Sequence, residues 1–295
     1  MISSRQQRSF GTRTTQRGVA LVLVLWLIVL LGAMAAGHAQ NAHSDTRLAA
    51  QQVQQLKARS LAEAAIYNTI LEFLARYPSA EIPLDGSVVE LPVLGRPVLI
   101  AMRNVTGLVD INTAGADLLA VALRAAGSND DQTAMLVDGI LDWRDADDNP
   151  RIHGAEADTY ENAGVPWTPR NARFTAIEEL RYLLGMTDSI YERLAPLVTV
   201  HSRIAGIDAE YAPPALLEAL VGSEVSPSRL GQGFSAGSGV RNGTFHVYAS
   251  APGGSAVRAS LEVVITISAS SSQPFSILEW REPPRTPFPP TGDFL

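Results

Sequence analysis

The length, charge and cysteine content of this chain exclude several classes of protein. It has 295 residues, with 23 Lys and Arg against 30 Asp and Glu, and it contains no cysteine. The excess of acidic residues is poorly suited to binding nucleic-acid phosphates. Without cysteine, no disulfide can stabilise the fold. Stability must therefore come from a hydrophobic core or a bound metal ion. The length allows one large or two modest domains beyond the N-terminal segment.

The N-terminal segment combines a basic leader with a long apolar run. Residues 1–18 contain four arginines and no acid, and the eighteen residues from Val19 to Ala36 contain no charged side chain. As a helix, such a run spans about 27 Å, close to the ~30 Å hydrocarbon layer of a bilayer. With the leader on the cytoplasmic side, the positive-inside rule predicts a single-pass membrane helix with the rest of the chain outside.

An amphipathic helix is predicted directly after the apolar run. From Leu48 to Tyr77 the chain has no Pro or Gly, and Pro78 ends the pattern. Apolar or small residues recur at spacings of three and four, as on one face of a helix. They are Val53, Leu56, Ser60, Ala64, Tyr67, Leu71 and Leu74. We therefore expect one continuous helix over 19–77, about 90 Å long.

A cleaved secretory signal peptide is the alternative for this N-terminus. The basic and apolar regions fit it, and Gly37-His38-Ala39 is similar to a cleavage site of small residues. A signal peptide gives no reason for the amphipathic pattern that follows, so the continuous helix is favoured.

Strand and helix patterns alternate beyond Pro78. The runs Ser87–Leu94 and Pro97–Arg103 predict a hairpin with a Gly95-Arg96 turn. After the leader (1–18) and the long helix (19–77), the predicted segments are first strands (78–109), an inserted helical domain (110–205), a helix with a Gly/Ser-rich loop (206–243), C-terminal strands (244–282) and a Pro-rich tail (283–295). The predicted fold class is α+β: a long N-terminal transmembrane and amphipathic helix packed on an antiparallel sheet, with a large mainly helical domain inserted between strands.

An acidic stretch in the helical segment is the strongest candidate for a binding site. Between Asp142 and Asp158 it places six carboxylates in 17 residues. Carboxylates at this density repel one another unless a hard cation is present. Calcium suits such a loop better than magnesium because it tolerates irregular geometry and takes six to eight oxygen ligands. The alternative is a solvated acidic loop at a helix end.

The spacing within this stretch is similar to that of an EF-hand but departs from it. Positions 1, 3, 5 and 12 of the motif fall on acceptor residues, whereas position 6, which requires glycine, is Pro150. The stretch is therefore not an EF-hand, and the choice of ligands rests on spacing. The predicted calcium ligands are Asp145, Asp147, Asn149, Glu156 and Asp158.

Two other segments are similar to helix-hairpin-helix DNA-binding modules. They are Gly107–Ala114 and Phe174–Thr187. The turn Gly185-Met186-Thr187 lacks the second glycine that would offer backbone N–H groups to a phosphate, and acidic residues surround it. A packed helical hairpin is favoured, and nucleic acid is not an expected partner. The alternative function is a membrane-anchored DNA-binding protein of a DNA-uptake system.

No catalytic site is predicted. Gly233-Phe-Ser235-Ala-Gly237 matches the nucleophile-elbow pattern, but it lies in the Gly/Ser-rich loop rather than between a strand and a helix. The five histidines are scattered without a close pair. The chain is therefore not expected to be an enzyme.

The N-terminus resembles the type IV pilin-like proteins, which share a basic leader ending in glycine and an apolar helix with an amphipathic continuation. The resemblance implies cleavage between Gly18 and Val19 by a prepilin peptidase, followed by methylation of Val19. Leu23 stands at the fifth mature position, where the family usually carries glutamate. In the family that carboxylate pairs with the N-terminal amine of the subunit ahead, so a subunit without it is expected at the fibre tip.

The chain as a whole resembles the minor pseudopilin K family of the type II secretion pathway. The resemblance is carried by Arg17–Leu21 and by three later stretches, 142–160, 174–181 and 185–196. It implies an inner-membrane protein with a periplasmic C-terminal domain and a calcium-binding helical insertion. Such a subunit initiates a short pseudopilus that exports folded proteins across the outer membrane. The implied partners are other minor pseudopilins, through the N-terminal helix and the head, and the prepilin peptidase.

Overall fold

A long helix and a five-stranded antiparallel sheet organise the computed structural model of this chain. It describes residues 17–76, 82–221, 223, 242–253, 258–268 and 272–282, with 17–20, 35–46, 76 and 242 described by their backbone alone. Most of the predicted leader, most of the Gly/Ser-rich loop and the predicted tail lie outside the described residues.

The chain divides into two units, Met1–Gln54 and Gln55–Leu295. Helix α1 spans Arg17–Arg76 and contributes to both. In the first unit the large apolar side chains from Leu21 to Leu31 are exposed. Where the structure gives side chains, it contains no helix that is both long and apolar enough to cross a membrane.

The second unit contains all seven strands and the remaining helices of the described residues. In chain order its elements are β1 (Asp85–Val93), β2 (Arg96–Asn104), β3 (Val109–Asp110), α2 (Ala116–Ala125), α3 (Asp130–Arg144), α4 (Ala157–Asn162), a 3-10 helix (Ile177–Tyr182), α5 (Asp188–Leu194), β4 (Val198–Thr199), α6 (Pro214–Val221), β5 (Asn242–Pro252), β6 (Arg258–Ser268) and β7 (Phe275–Arg281). The large sheet has the order β1-β2-β5-β6-β7, so β2 pairs with β5 across the helical segment.

The sheet packs one face against the C-terminal part of α1. Successive side chains of a strand point to opposite faces, and in β6 alternate residues are fully buried, as Leu261, Val263 and Ile265 show. They share a core with residues of α1, in which the rings of Phe73 and Phe245 lie 5.2 Å apart. A second core lies within the helical segment between β2 and β5.

The face of α1 that packs on the sheet differs from the predicted stripe, which is expected to meet partner helices. The buried residues are Ala58, Leu61, Ala62, Ala65, Ile66, Thr69, Ile70 and Phe73. At 100° per residue this set lies opposite the predicted stripe. Leu56 and Leu71 of that stripe remain 62% and 60% exposed. The helix therefore has two apolar faces, and spacings of three and four fit both.

The predicted position of the hairpin turn is wrong. The turn consists of Leu94 and Gly95, both at positive φ, and not of Gly95-Arg96, because Val93 pairs with Arg96. Positive φ at both turn positions matches the twist of paired strands, although leucine seldom adopts it. The segment 110–205, predicted as mainly helical, also contains the short parallel pair β3 and β4.

The predicted class, a combination of helices with an antiparallel sheet, is confirmed. The predicted domain boundaries and the finer description of the N-terminal helix and the insertion stay predictions.

Candidate functional site

The acidic stretch forms the loop between α3 and α4. Asp145 is the C-cap of α3 and Glu156 is the N-cap of α4, so the two helices fix both ends of the loop. Near the middle, Asn149 donates to Asp147 Oδ1 from its backbone, at 3.0 Å, and from its side chain, at 2.8 Å. These hydrogen bonds lower the pKa of the exposed Asp147 carboxyl.

Asp142 lies at the buried centre of this loop. It projects from the last turn of α3 and is 0% exposed. Arg151 Nη1 contacts Asp142 Oδ1 and lies 2.6 Å from Asp145 Oδ2. The backbone N–H of Arg151 also donates to Asp142 Oδ2, at 3.2 Å. A single arginine therefore bridges the two carboxylates.

Gly154 allows the loop to close over Asp142. A Cβ at this position would overlap the Asp142 carboxylate, while the Gly154 N–H donates to the Arg151 carbonyl at 3.1 Å. Only a residue without a side chain fits this close approach.

Glu156 is buried without a hydrogen-bond partner. It is 4% exposed, and neither carboxylate oxygen is hydrogen-bonded to any described residue. Burial raises the pKa of the Glu156 carboxyl to about 7, with further contributions from Asp142, Asp145 and the exposed acids of the loop. Orphaned carboxylate oxygens in an acidic, buried place are unfavourable unless a proton or a cation neutralises them.

The structure separates the predicted ligands into two sets. Asp145 and Glu156 lie with Asp142 at the inner side of the loop, whereas Asp147, Asn149 and Asp158 are exposed. Sequence spacing missed Asp142, which lies in the last turn of α3 beside the buried Trp143. Within the described ranges, no group of three or more His, Asp and Glu forms a ready-made metal site.

The inner residues nevertheless fit a hard cation in their chemistry. Both oxygens of Glu156 and Oδ1 of Asp145 are buried and unpartnered among the described residues. Carboxylate oxygens are the ligands that calcium prefers. Asp142, Asp145 and Glu156 are therefore the residues that would hold such an ion.

A cluster of aromatic side chains forms around Trp143, next to the acidic loop. The Trp143 ring stacks on Phe174 at 5.9 Å and on Tyr182 at 6.4 Å, and meets Tyr160 edge-on at 6.1 Å. Trp143 follows Asp142 in α3, so this packing fixes the direction of the Asp142 side chain.

The two segments similar to helix-hairpin-helix modules make contacts within the chain. Asn112 accepts from the Phe174 N–H at 2.7 Å and donates to the Phe174 carbonyl at 2.9 Å, so the segments bind each other. Thr187 caps α5 by accepting from the Ile190 N–H at 3.2 Å. Both segments are thus accounted for by packing.

The exposed face of α1 is a second candidate site. Leu56, Tyr67 and Leu71 are exposed on one side of the helix in the second unit, and the Tyr67 ring lies 6.2 Å from that of Trp280. We call this set, with the partly buried Ala64 and Leu74, the apolar stripe of the second unit. Val53 of the predicted set is exposed too, but it lies in the first unit. Contiguous apolar surface of this kind is typical of a partner interface.

The predicted processing residues and Leu23 all lie in the N-terminal part of α1. Gly18 and Val19 lie in the part of α1 whose side chains are not described, and Leu23 is exposed in the first unit. Their predicted roles stay predictions.

Part of the chain matches a known protein family. The family described as "Type II secretion system (T2SS), protein K" matches residues 101–203. This range contains the acidic loop, its two flanking helices and the aromatic cluster.

Curated relatives carry the same description. A putative type II secretion system protein K of Escherichia coli K12 is 30% identical over 205 residues, covering 63% of this chain and 62% of the relative. A type II secretion system protein K of Pectobacterium carotovorum is 26% identical over 210 residues, covering 63% of both. The chain thus aligns with less than two thirds of the length of these relatives.

The fold is similar to that of a chain in the crystal structure of the GspK-GspI-GspJ complex from the type 2 secretion system of enterotoxigenic Escherichia coli. The TM-score is 0.55, and the match covers 81% of this chain and 99% of the other. At 15% sequence identity, the similarity concerns the fold alone.

The buried Glu156 predicts a stability that falls with rising pH in the metal-free chain. Its pKa is raised from 4.5 to about 7, so between these values the folded state keeps a proton that the unfolded state releases. Chemical denaturation in chelator should show about 1–3 kcal/mol lost from this group between pH 4.5 and 8.

Glu156→Gln should remove that loss and make the chain more stable than the wild type at pH 8. Glu161→Gln, at an exposed position of α4, is the matched control and should retain the wild-type profile. Parallel pH profiles for all three proteins would show that Glu156 does not titrate in this range.

Proposed function

We propose that the chain is a member of the type II secretion system protein K family and works as a minor pseudopilin at the tip of the pseudopilus. In this role it initiates assembly of the fibre and helps to export folded proteins across the outer membrane. The observation that carries the proposal is α1: one face holds the sheet while the opposite face leaves an apolar stripe exposed.

The apolar stripe suits the N-terminal helices of other minor pseudopilins. Its side chains recur at spacings of three and four, which match ridges-into-grooves packing against another helix. The similar fold in the GspK-GspI-GspJ complex supports partners of this class. The pilin-like head and the helical insertion between β2 and β5 supply further surface for the same assembly.

A membrane anchor and a processing step complete the proposal. The apolar run 19–36 anchors the chain in the inner membrane with the leader inside and the C-terminal domain in the periplasm. Prepilin peptidase cleaves between Gly18 and Val19, and the new amine of Val19 is methylated. During assembly the same run leaves the bilayer and joins the helical spine of the fibre.

Leu23 supports the terminal position. A carboxylate at this depth of the bilayer costs several kcal/mol unless it is paired. A subunit with no subunit ahead of it lacks the amine that would pair with a glutamate. Leucine at this position is therefore compatible with the tip.

A calcium ion held by Asp142, Asp145 and Glu156 would stabilise the acidic loop. The unpartnered oxygens of Glu156 and Asp145 support this assignment. The ion's role is structural: it would neutralise the carboxylates that cap α3 and α4. The exposed Asp147, Asn149 and Asp158 can complete its shell only by movement of the loop.

The apolar stripe is tested by a charge at Leu71. Leu71→Glu should reduce recovery of the partner minor pseudopilins in co-purification by roughly tenfold, since about 1.4 kcal/mol corresponds to a factor of ten. Its effect on the stability of the isolated chain should be small because the side chain is exposed.

Leu94→Glu is the matched control, because Leu94 is also exposed and lies at the β1–β2 turn away from α1. It should co-purify partners as the wild type does. Equal recovery with both variants would contradict the assigned partner surface.

The tip assignment of Leu23 is tested by Leu23→Glu. We expect fewer pseudopili and reduced secretion, because the added carboxylate has no amine to pair with. Leu23→Gln controls for polarity without charge and should be milder. Undiminished secretion with normal tip assembly in the glutamate variant would count heavily against a role for Leu23.

The calcium assignment is tested by thermal unfolding of the full chain in detergent, with and without chelator. Calcium at a hundred times its Kd should stabilise the chain by about 2.7 kcal/mol, seen as a higher melting temperature. Magnesium should have less effect. Identical melting curves in calcium and in chelator would rule the site out.

A further inference from the structure

Arg151 is placed among the carboxylates where a cation would act. Its Nη1 contacts Asp142 Oδ1 and lies 2.6 Å from Asp145 Oδ2. Asp142 is fully buried and Asp145 is half-buried, whereas the Arg151 side chain is 37% exposed. The positive charge therefore reaches the buried centre of the loop from the solvent side.

This arginine leaves the carboxylates only partly satisfied. Asp145 Oδ1 and both oxygens of Glu156 have no hydrogen-bond partner within the described part of the chain. A guanidinium carries one positive charge and donates in one plane, so it cannot turn toward three carboxylates at once. A divalent ion could be coordinated by oxygens of all three carboxylates, those of Asp142, Asp145 and Glu156.

We propose that Arg151 competes with the calcium ion for the acidic loop. In the metal-free chain its guanidinium bridges the carboxylates of Asp142 and Asp145, and when the cation binds it moves away from them into solvent. The inference rests on the calcium site proposed above. An ion that also takes the oxygens of Asp142 as ligands competes with the guanidinium for them, because two cations on the same oxygens repel each other strongly. The partial exposure of Arg151 gives its side chain a path into solvent.

The competition explains two features of the loop. No ready-made metal cluster is found among the described His, Asp and Glu residues, and Asp142 and Asp145 both contact Arg151. Asp142 also remains buried in the metal-free state without an uncompensated charge. Arg151 thereby keeps the loop folded before calcium arrives and lowers its apparent affinity, because a ligand binds more weakly when its competent state is a minor one.

The test is a calcium titration of full-length wild type and Arg151→Gln in detergent by calorimetry. We expect Arg151→Gln to lower the calcium Kd by roughly tenfold, as loss of one charge-assisted contact from the competing state implies. In chelator the variant should melt at a lower temperature than the wild type, because Asp142 loses its counter-charge. In saturating calcium the two melting temperatures should converge.

Two controls separate competition from general electrostatics and misfolding. Arg173→Gln removes an equal charge from an exposed arginine near the loop and should change Kd by less than about twofold, the more so at high salt. Arg151→Lys keeps the charge without the planar fork and should fall between wild type and Arg151→Gln. It tests the inference if the glutamine variant does not fold.

The outcomes are distinguishable. Calcium binding by the wild type with no tighter binding by either Arg151 variant would overturn the competition and leave the calcium site standing. No binding by the wild type but clear binding by Arg151→Gln would support the competition in its strongest form. No binding by any of these proteins would overturn both proposals.

Discussion

The packing of α1 on the antiparallel sheet is the constraint on which the other features of the second unit depend. Residues 58–73 of the helix share one core with β2, β5 and β6, and Phe73 meets Phe245 there. Because the sheet covers only one side of a helix, the opposite side stays exposed, and in this chain it is apolar. One element thus stabilises the head and presents a surface suited to neighbouring helices in a fibre. The same sheet joins β2 directly to β5, which lets the helical segment between them form a core of its own.

Charge balance is the second constraint, and it governs the acidic loop. Arg151 bridges Asp142 and Asp145 and supplies one compensating charge, and both of these acids help to raise the pKa of the nearby Glu156. The raised pKa of Glu156 and its unpartnered oxygens show that Arg151 does not compensate all the negative charge of the loop. A proton or a divalent cation can neutralise the remainder. Because the chain contains no cysteine, no disulfide can stabilise this part of the fold.

Much of the fold follows from local patterns, and the parts that do not have physical reasons. β5, β6 and β7 lie within the segment predicted to form C-terminal strands, and β1 and β2 form the predicted hairpin with its turn one residue earlier. The buried face of α1 is rich in alanine and therefore less conspicuous than Leu56 and Leu71 on the exposed face. Spacing alone chose Asp147 and Asn149 as ligands, but it cannot show that they bond to each other or that Arg151 folds back on Asp142. Those contacts depend on Gly154 and on the aromatic cluster beneath the loop, both fixed by tertiary packing.

The fate of the N-terminus decides whether α1 is a retained spine or a discarded signal. Intact-mass and N-terminal peptide measurements on the mature chain from its own membranes distinguish the two directly. A mature chain that begins at Val19, with a methylated amine, is the predicted result for a pseudopilin processed after Gly18. A chain that begins near Gln40, after Gly37-His38-Ala39, would contradict it, because the apolar run would then be absent from the working protein.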